Sequence, residues 1–487
     1  MRSSFVLVSV CLSLLAGCGD GGSGSVPTVP VSDVLGTFID THVTETGDVP
    51  NPRTSSEYEV SGVVALDDGT TQEIMGIISD DGTFRIPAVP EGPYSLRLLE
   101  YFGTGALPPR YIADAPRNID LGRLFTGRPD AGDCTLSPTE IIITATGLDA
   151  WADGDDLELF SLGAGAAGTL VPTDLVLPDP GATALSNYSV DTSALLSAKL
   201  VNGDMGDHAV VTQLVTYADF TAAYRSVLKV FALPSFTQTD GGSVKVSGAF
   251  TSVPQKKLDI SLDDVAFAAL VPSVHSTAEY GGKDVRIIAE PGGERATVSP
   301  TPTLLAVKSG QKLALPSPFF YGNPFEGKYA EVISAGYVYT MTHTTTEGIP
   351  KQVAVAVGKS GSLADFADPV TPLLSPPLDI RVNDAPTSDT LTGVGQTPMI
   401  SWTAPATGTP AVYIVALRRL DPGGATTKTM ALFSTKETSL KLPGGLLEFG
   451  YSYYVRVSVR GEFDSAVPFR GGTKTAYASG LTGVLVQ

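Results

Sequence analysis

The sequence is poor in the residues that build metal and redox centres. It holds 3 cysteines and 4 histidines in 487 residues. The histidines, His42, His208, His275 and His343, lie far apart, and no HExxH or His-x-His spacing occurs. No zinc site is therefore legible as a motif. G-x-S-x-G elbows, Walker loops and dinucleotide-binding glycine patterns are also missing. Hydrolase triads and nucleotide chemistry thus have no signature here. Tryptophan occurs only twice, too rarely for a carbohydrate platform of stacked indoles, although Trp151 sits beside an acidic cluster. Charged residues make up 17% and the net charge is −19. That balance argues against nucleic acid or anionic lipid headgroups as partners.

What is present is apolar, turn-rich and β-prone. The chain is 43% hydrophobic with 52 glycines and 36 prolines. Short Val/Thr-rich runs between Gly, Pro and Asp clusters predict an all-β protein of several β-sandwiches. At about 100–200 residues per domain the length predicts three or four units.

Arg2, the apolar run from Phe5 to Ala16 and a small-residue exit describe a cleaved signal over residues 1–17. The run is shorter than the ~20 residues a spanning helix needs. Its end, Leu15-Ala16-Gly17-Cys18, resembles the lipobox of bacterial lipoproteins. The resemblance implies cleavage before Cys18, acylation of Cys18 with palmitate-type chains, and a membrane anchor without a transmembrane helix. Asp20 stands one place beyond the position that marks inner-membrane retention in that family, which implies the outer membrane of a Gram-negative bacterium. Residues 18–56 are expected to be a flexible tether, with Gly/Ser coil giving way to Pro-rich chain. One extra strand over Thr37–Val43 is left open.

Residues 57–126 form the first expected unit. Tyr58–Val64, Glu73–Ile78, Arg85–Pro87 and Tyr94–Leu98 read as strands, joined by Asp-Gly turns at Asp67–Thr70 and Asp80–Thr83. The order S-G-V-V, D-D-G-T-F-R-I, V-P-E-G-P-Y-S-L resembles the carboxypeptidase regulatory-like domain, a transthyretin-like sandwich. That implies an accessory module with no catalytic residues.

Residues 134–375 form a large central β domain with no family resemblance. Expected strands are Glu140–Thr146, Leu157–Leu162, Ala209–Thr216, Ser243–Phe250, Leu258–Leu262, Val285–Ala289, Tyr329–His343 and Gln352–Val357. Phe220, Tyr224, Val227, Leu228 and Phe231 also fit helical spacing, but the Gly-Gly hairpin that follows favours a strand. One large sandwich or open barrel, or two smaller sandwiches, would satisfy this pattern. Residues 377–487 carry Trp402, the alternating runs Tyr413/Val415/Leu417 and Tyr453/Val455/Val457, and Leu447 spaced from Tyr453 as in a tyrosine corner. These resemble a fibronectin type III domain.

Asp149, Asp153, Asp155 and Asp156 surround Gly154 and are the candidate calcium ligands, oxygen donors for a hard cation. They lack the EF-hand's twelfth-position glutamate and its spacing, and an exposed acidic loop is the default reading. Gly203-Asp-Met-Gly-Asp-His208 is a second candidate, better read as a turn. Once Cys11 and Cys18 are assigned to the signal and the anchor, Cys134 has no disulfide partner. It reads as a small buried residue, with a reactive thiol or intermolecular bridge as alternatives. With no catalytic constellation, the expected function is a non-catalytic binding or scaffold protein of the cell envelope, engaging another protein or a surface glycan. The alternatives are a hydrolase on envelope or extracellular polymers with its site in 134–375, and a component of an export or motility assembly.

Overall fold

The computed structural model describes residues 30–66, 70–102, 105–218, 223–307, 315, 317–366, 369–421, 423 and 427–487. The signal segment, Cys18, the Asp67–Gly69 turn and Phe220 lie outside these residues. Strands dominate, and the α-helices are the short Asp264–Ala268 and Val271–Val274. No helix among the described residues is long and apolar enough to cross a membrane.

The first unit is a two-layer sandwich. One layer sets Tyr58–Ala65 between Thr71–Met75 and Ser95–Phe102, and Ser95–Phe102 in turn pairs with Arg110–Ala113. The other sets Val31–Thr37 between Thr83–Pro90 and Asn118–Asp120. Alternation decides which side chains meet: Tyr94, Leu96 and Leu98 turn inward with Val60 and Ile112, against Val34, Phe84, Ile86 and Ile119.

The flexible tether expected to run to residue 56 is corrected here. Val31–Thr37 completes the sandwich, and Ile39–Thr44 pairs with both Gly47–Pro52 and Leu124–Thr126. Ordering comes from distant partners that local composition does not reveal. Gly36 shows how close the approach is: a Cβ there would lie 2.1 Å from the Ile119 carbonyl oxygen.

The central region divides. Glu140–Thr146, with Ala184–Asp191 and Ser243–Ala249 on either side, faces Asp156–Ser161, Val210–Ala218 and Ala223–Ala232. Between them lie Ile141, Ile143, Trp151, Leu157, Leu159, Val211 and Phe231. Residues 223–232 are thus strand, not helix. Long antiparallel strands follow, Glu279–Glu290, Ala330–Thr344 and Pro350–Gly361. Their core is shared with the last unit, so residues 134–375 are one sandwich plus an extension that is not closed by itself. The expected strand Leu258–Leu262 is displaced: the strand is Gln255–Leu258, and Leu262 makes an isolated bridge to Val370.

The last unit packs Leu378–Val382, Met399–Thr403 and Ser439–Lys441 on Val412–Leu420, Thr427–Thr435, Ser452–Arg460 and Thr475–Leu481. Trp402 is buried 5.2 Å from the Tyr413 ring. The Glu448 N–H donates to the Tyr453 hydroxyl at 2.9 Å, above buried Leu447. This is the tyrosine corner of a fibronectin type III-like sandwich.

The units are joined edge to edge. Gly358 pairs with Tyr477, carrying the central sheet into the last unit. Arg110, Tyr111 and Ile112 pair in parallel with Leu432, Phe433 and Ser434, carrying it on into the first. The result is a 20-stranded sheet through the whole molecule. Ile39–Pro52 and Leu124–Thr126 form a small hub touching every unit. Val298 N–H donates to the Leu124 carbonyl at 2.8 Å and Arg128 N–H to the Gly163 carbonyl at 2.8 Å. Arg470 Nη2 reaches the Ile39 carbonyl at 3.1 Å. Inside the hub Asp40, fully buried, accepts from Arg53 Nε at 2.6 Å and Arg123 N–H at 2.7 Å.

Candidate functional site

The structure does not gather the four candidate calcium ligands. Asp155 is buried and accepts from the Thr216 and Ala152 N–H groups at 2.7 and 3.1 Å. Burial raises its pKa, partly offset by those donors. Asp156 pairs with Arg225, while Asp153 is exposed. Asp149 is clamped through its backbone: its N–H donates to Gln213 Oε1 at 2.8 Å and its carbonyl accepts from Gln213 Nε2 at 3.1 Å. Asp155 thus shapes the loop, and the four carboxylates do not share a site. Among the described residues no group of three or more His, Cys, Asp or Glu side chains converges to hold a metal. Trp151, beside them, is core.

The Gly203–Met205 segment is a capped 3-10 turn, and Asp207 is buried under Arg128, whose Nη2 lies 3.1 Å away. Cys134 is buried, 3.6 Å from Thr192 Oγ1, and burial raises its thiol pKa.

Three histidines mark the seams. His42 in the hub donates from Nδ1 to the Gly127 carbonyl, 2.7 Å away, and stacks on Phe125. His275 faces the Thr387 carbonyl of the last unit at 3.4 Å. His343 lies against Tyr454 of the last unit, ring centroids 4.9 Å apart, with its Nε2 buried and without a hydrogen-bond partner. Burial lowers the pKa of all three, that of His343 to about 4.

Concave surface also concentrates at the seams. A groove of about 590 Å³ separates the first unit from the last, with Val63, Tyr111, Phe433, Leu440 and Leu442 on its walls. Tyr111 and Phe433 stack at 4.7 Å directly under the joining strands.

The second hollow, about 470 Å³, opens where the central region meets the last unit. Its floor is the continuous sheet. Arg286, Ser334, Ser360 and Thr475 stand opposite one another on four adjacent strands, and Arg460 opposes Tyr477 on the next pair. Between them Gly336 faces Gly358, and the Tyr477 hydroxyl lies over Gly358, 2.9 Å from where a Cβ would be. Loops 296–301 and 469–473 form the rim, and Ser360 Oγ donates to the Thr473 carbonyl at 2.7 Å. Burial pushes the Tyr477 phenol up to about 12, so its proton stays available for donation.

Glu290 is the one carboxyl on this cleft wall, among the described residues. It is buried, accepts from Gly292 N–H at 3.1 Å, and has its pKa raised by that burial. A single tied carboxyl does not make the facing acid pair of a glycosidase. Arg286 Nη2 donates to Thr303 Oγ1 at 3.1 Å. Burial raises the pKa of Asp284 and of Glu158, and the nearby charge of Arg286 offsets part of each rise. Among the described residues neither Arg286 nor Arg460 is held in an ion pair.

Sequence reasoning missed this cleft. Arg286 sits alone between Val285 and Ile287, and Arg460 follows Val459 just before Gly461, so each looks like any outward-facing strand residue. Only the pairing of distant strands brings them together.

No family model matches the chain, and no curated protein is found similar to it. Among solved structures, the FN1–FN3 domains of chicken CNTN1 are 9% identical, over 92% of this chain and 90% of that one, with a TM-score of 0.14. A tetra-tandem repeat from the extending region of a large adhesion protein is 13% identical, over 93% and 99%, also with a TM-score of 0.14. The N-terminal eight Ig domains of DSCAM are 12% identical, over 94% and 57%, at 0.12. Likenesses at these scores carry no argument. The sandwich assignment rests on the strand order and cores described above.

Proposed function

We propose that the protein is a non-catalytic binding or scaffold lipoprotein of the cell envelope, held by acyl chains on Cys18 to the outer membrane of a Gram-negative bacterium. The observation that carries the binding half is the fusion of three β units through one sheet, with concave surfaces at the seams. Such a body holds its recognition surfaces at fixed geometry, because seam rotation would break backbone pairing. The anchoring half follows from Leu15-Ala16-Gly17-Cys18. In this reading the regulatory-like and fibronectin-like units are the supports of the central region and have no chemistry of their own.

An alkynyl palmitate analogue fed to cells, followed by membrane fractionation, tests the anchor. Label on the wild-type chain in the outer-membrane fraction, lost in Cys18→Ala, is the expected result. Unlabelled wild-type protein would overturn the anchoring. Crosslinking in intact envelopes tests the binding half, and recovery of the chain alone under several conditions counts against it.

A further inference from the structure

The cleft between the central region and the last unit has a chemistry that a spacer does not need. In a chain of net charge −19, two arginines flank a row of hydroxyls, and among the described residues neither is held in an ion pair. Arg286, Ser334, Ser360 and Thr475 stand in one row across four strands, and Arg460 lies on the fifth in the neighbouring row, opposite Tyr477. At roughly 4.8 Å per strand, the two arginine backbones stand roughly 20 Å apart. On the floor Gly336 faces Gly358, and the missing side chain of Gly358 makes room for the Tyr477 hydroxyl. Tyr477 and Phe469 offer aromatic surface beside the hydroxyls. A volume of about 470 Å³ falls within the range of pockets that bury small ligands.

Hydroxyl donors and acceptors in a row suit a polyol, and guanidinium forks suit carboxylate or sulfate. A single apolar anchoring pocket of the kind that fixes a peptide is not the dominant feature. We infer that this cleft binds a short anionic oligosaccharide lying across the strands, its acidic groups at Arg286 and Arg460 and its hydroxyls on Ser334, Ser360 and Thr475. The inference rests on the binding reading above and names its ligand class.

Titration calorimetry on the detergent-solubilised full chain tests it. The probes are a panel of acidic trisaccharides (galacturonate, glucuronate-containing and sulfated), neutral maltotriose, and inorganic sulfate. At least one acidic trisaccharide should bind at least tenfold tighter than maltotriose. Arg286→Gln and Arg460→Gln should each weaken it about tenfold with unchanged circular dichroism, and Arg85→Gln, far from the cleft, should leave it unchanged. Binding undiminished in the double variant, equal affinity for maltotriose, or silence across the panel would overturn the assignment. So would sulfate binding as tightly as the saccharides, since the site would then serve a free anion. The sugars are recovered and sized after each run. Intact sugar agrees with binding, whereas cleavage would overturn the non-catalytic reading and leave the cleft as the site.

Discussion

His343 places an ionisable ring where its charged form has no compensation. It is 2% exposed, its Nε2 has no hydrogen-bond partner among the described residues, and nearby His275 further disfavours its charged form. Its folded pKa of about 4 lies below the ordinary value of 6.5, so between these values the unfolded chain takes up a proton that the folded chain refuses. Stability is therefore complete above about pH 6.5 and is lost as pH falls toward 4, by about 3 kcal/mol from this residue. His42 and His275, with pKa values lowered in the same direction, add to the slope. Melting temperature measured from pH 7.5 to 4.5 should fall steadily. His343→Phe should flatten part of that fall, and an unchanged slope would show that the ring is not buried as described. Asp155 carries a separate expectation at this scale. Because its oxygens are already taken by the Thr216 and Ala152 amides, millimolar calcium should leave the melting temperature where it was. A rise of several degrees that disappears in Asp155→Asn would contradict the geometry.

At the scale of elements, the decisive contact is the parallel pairing of Arg110–Ala113 with Thr427–Thr435. Tyr111 and Phe433, both buried, stack across it. Phe433→Ala should cost about 3–5 kcal/mol, read by urea titration. The double variant with Tyr111→Ala should fall short of the sum of the two single losses, because the variants share one contact. Strict additivity would mean that the rings do not depend on each other. Tyr58–Val64, Tyr94–Leu98 and Tyr453–Val459 were legible because each alternates over a half-buried face. Thr427–Thr435 was not, since Met430, Ala431, Leu432 and Phe433 run apolar in succession where the strand is covered on both sides. Thr475–Leu481 is built of small residues, and Val31–Thr37 shows its partners only in three dimensions. The cleft was hidden for the same reason. Its residues come from strands whose order in space is not their order in sequence, so no local pattern joins Arg286 to Arg460. The run Leu15-Ala16-Gly17-Cys18 stood out because its residues are contiguous.

The whole molecule should unfold as one body. The central extension shares its core with the last unit, the first unit completes the same sheet, and the hub ties all three. Calorimetry should give a single transition, whereas well-separated transitions would mean that the units are independent beads. The same seam between the first and last units has a consequence for biosynthesis. Arg110–Ala113 leaves the ribosome long before its partner Thr427–Thr435, which lies far along the chain. Until then the first unit carries an open strand edge beside the uncovered Tyr111 and Val63, a surface prone to pair with the wrong chain. That edge has to be kept from other strands for as long as Thr427–Thr435 is unmade, and the arrival of that one strand is what closes it.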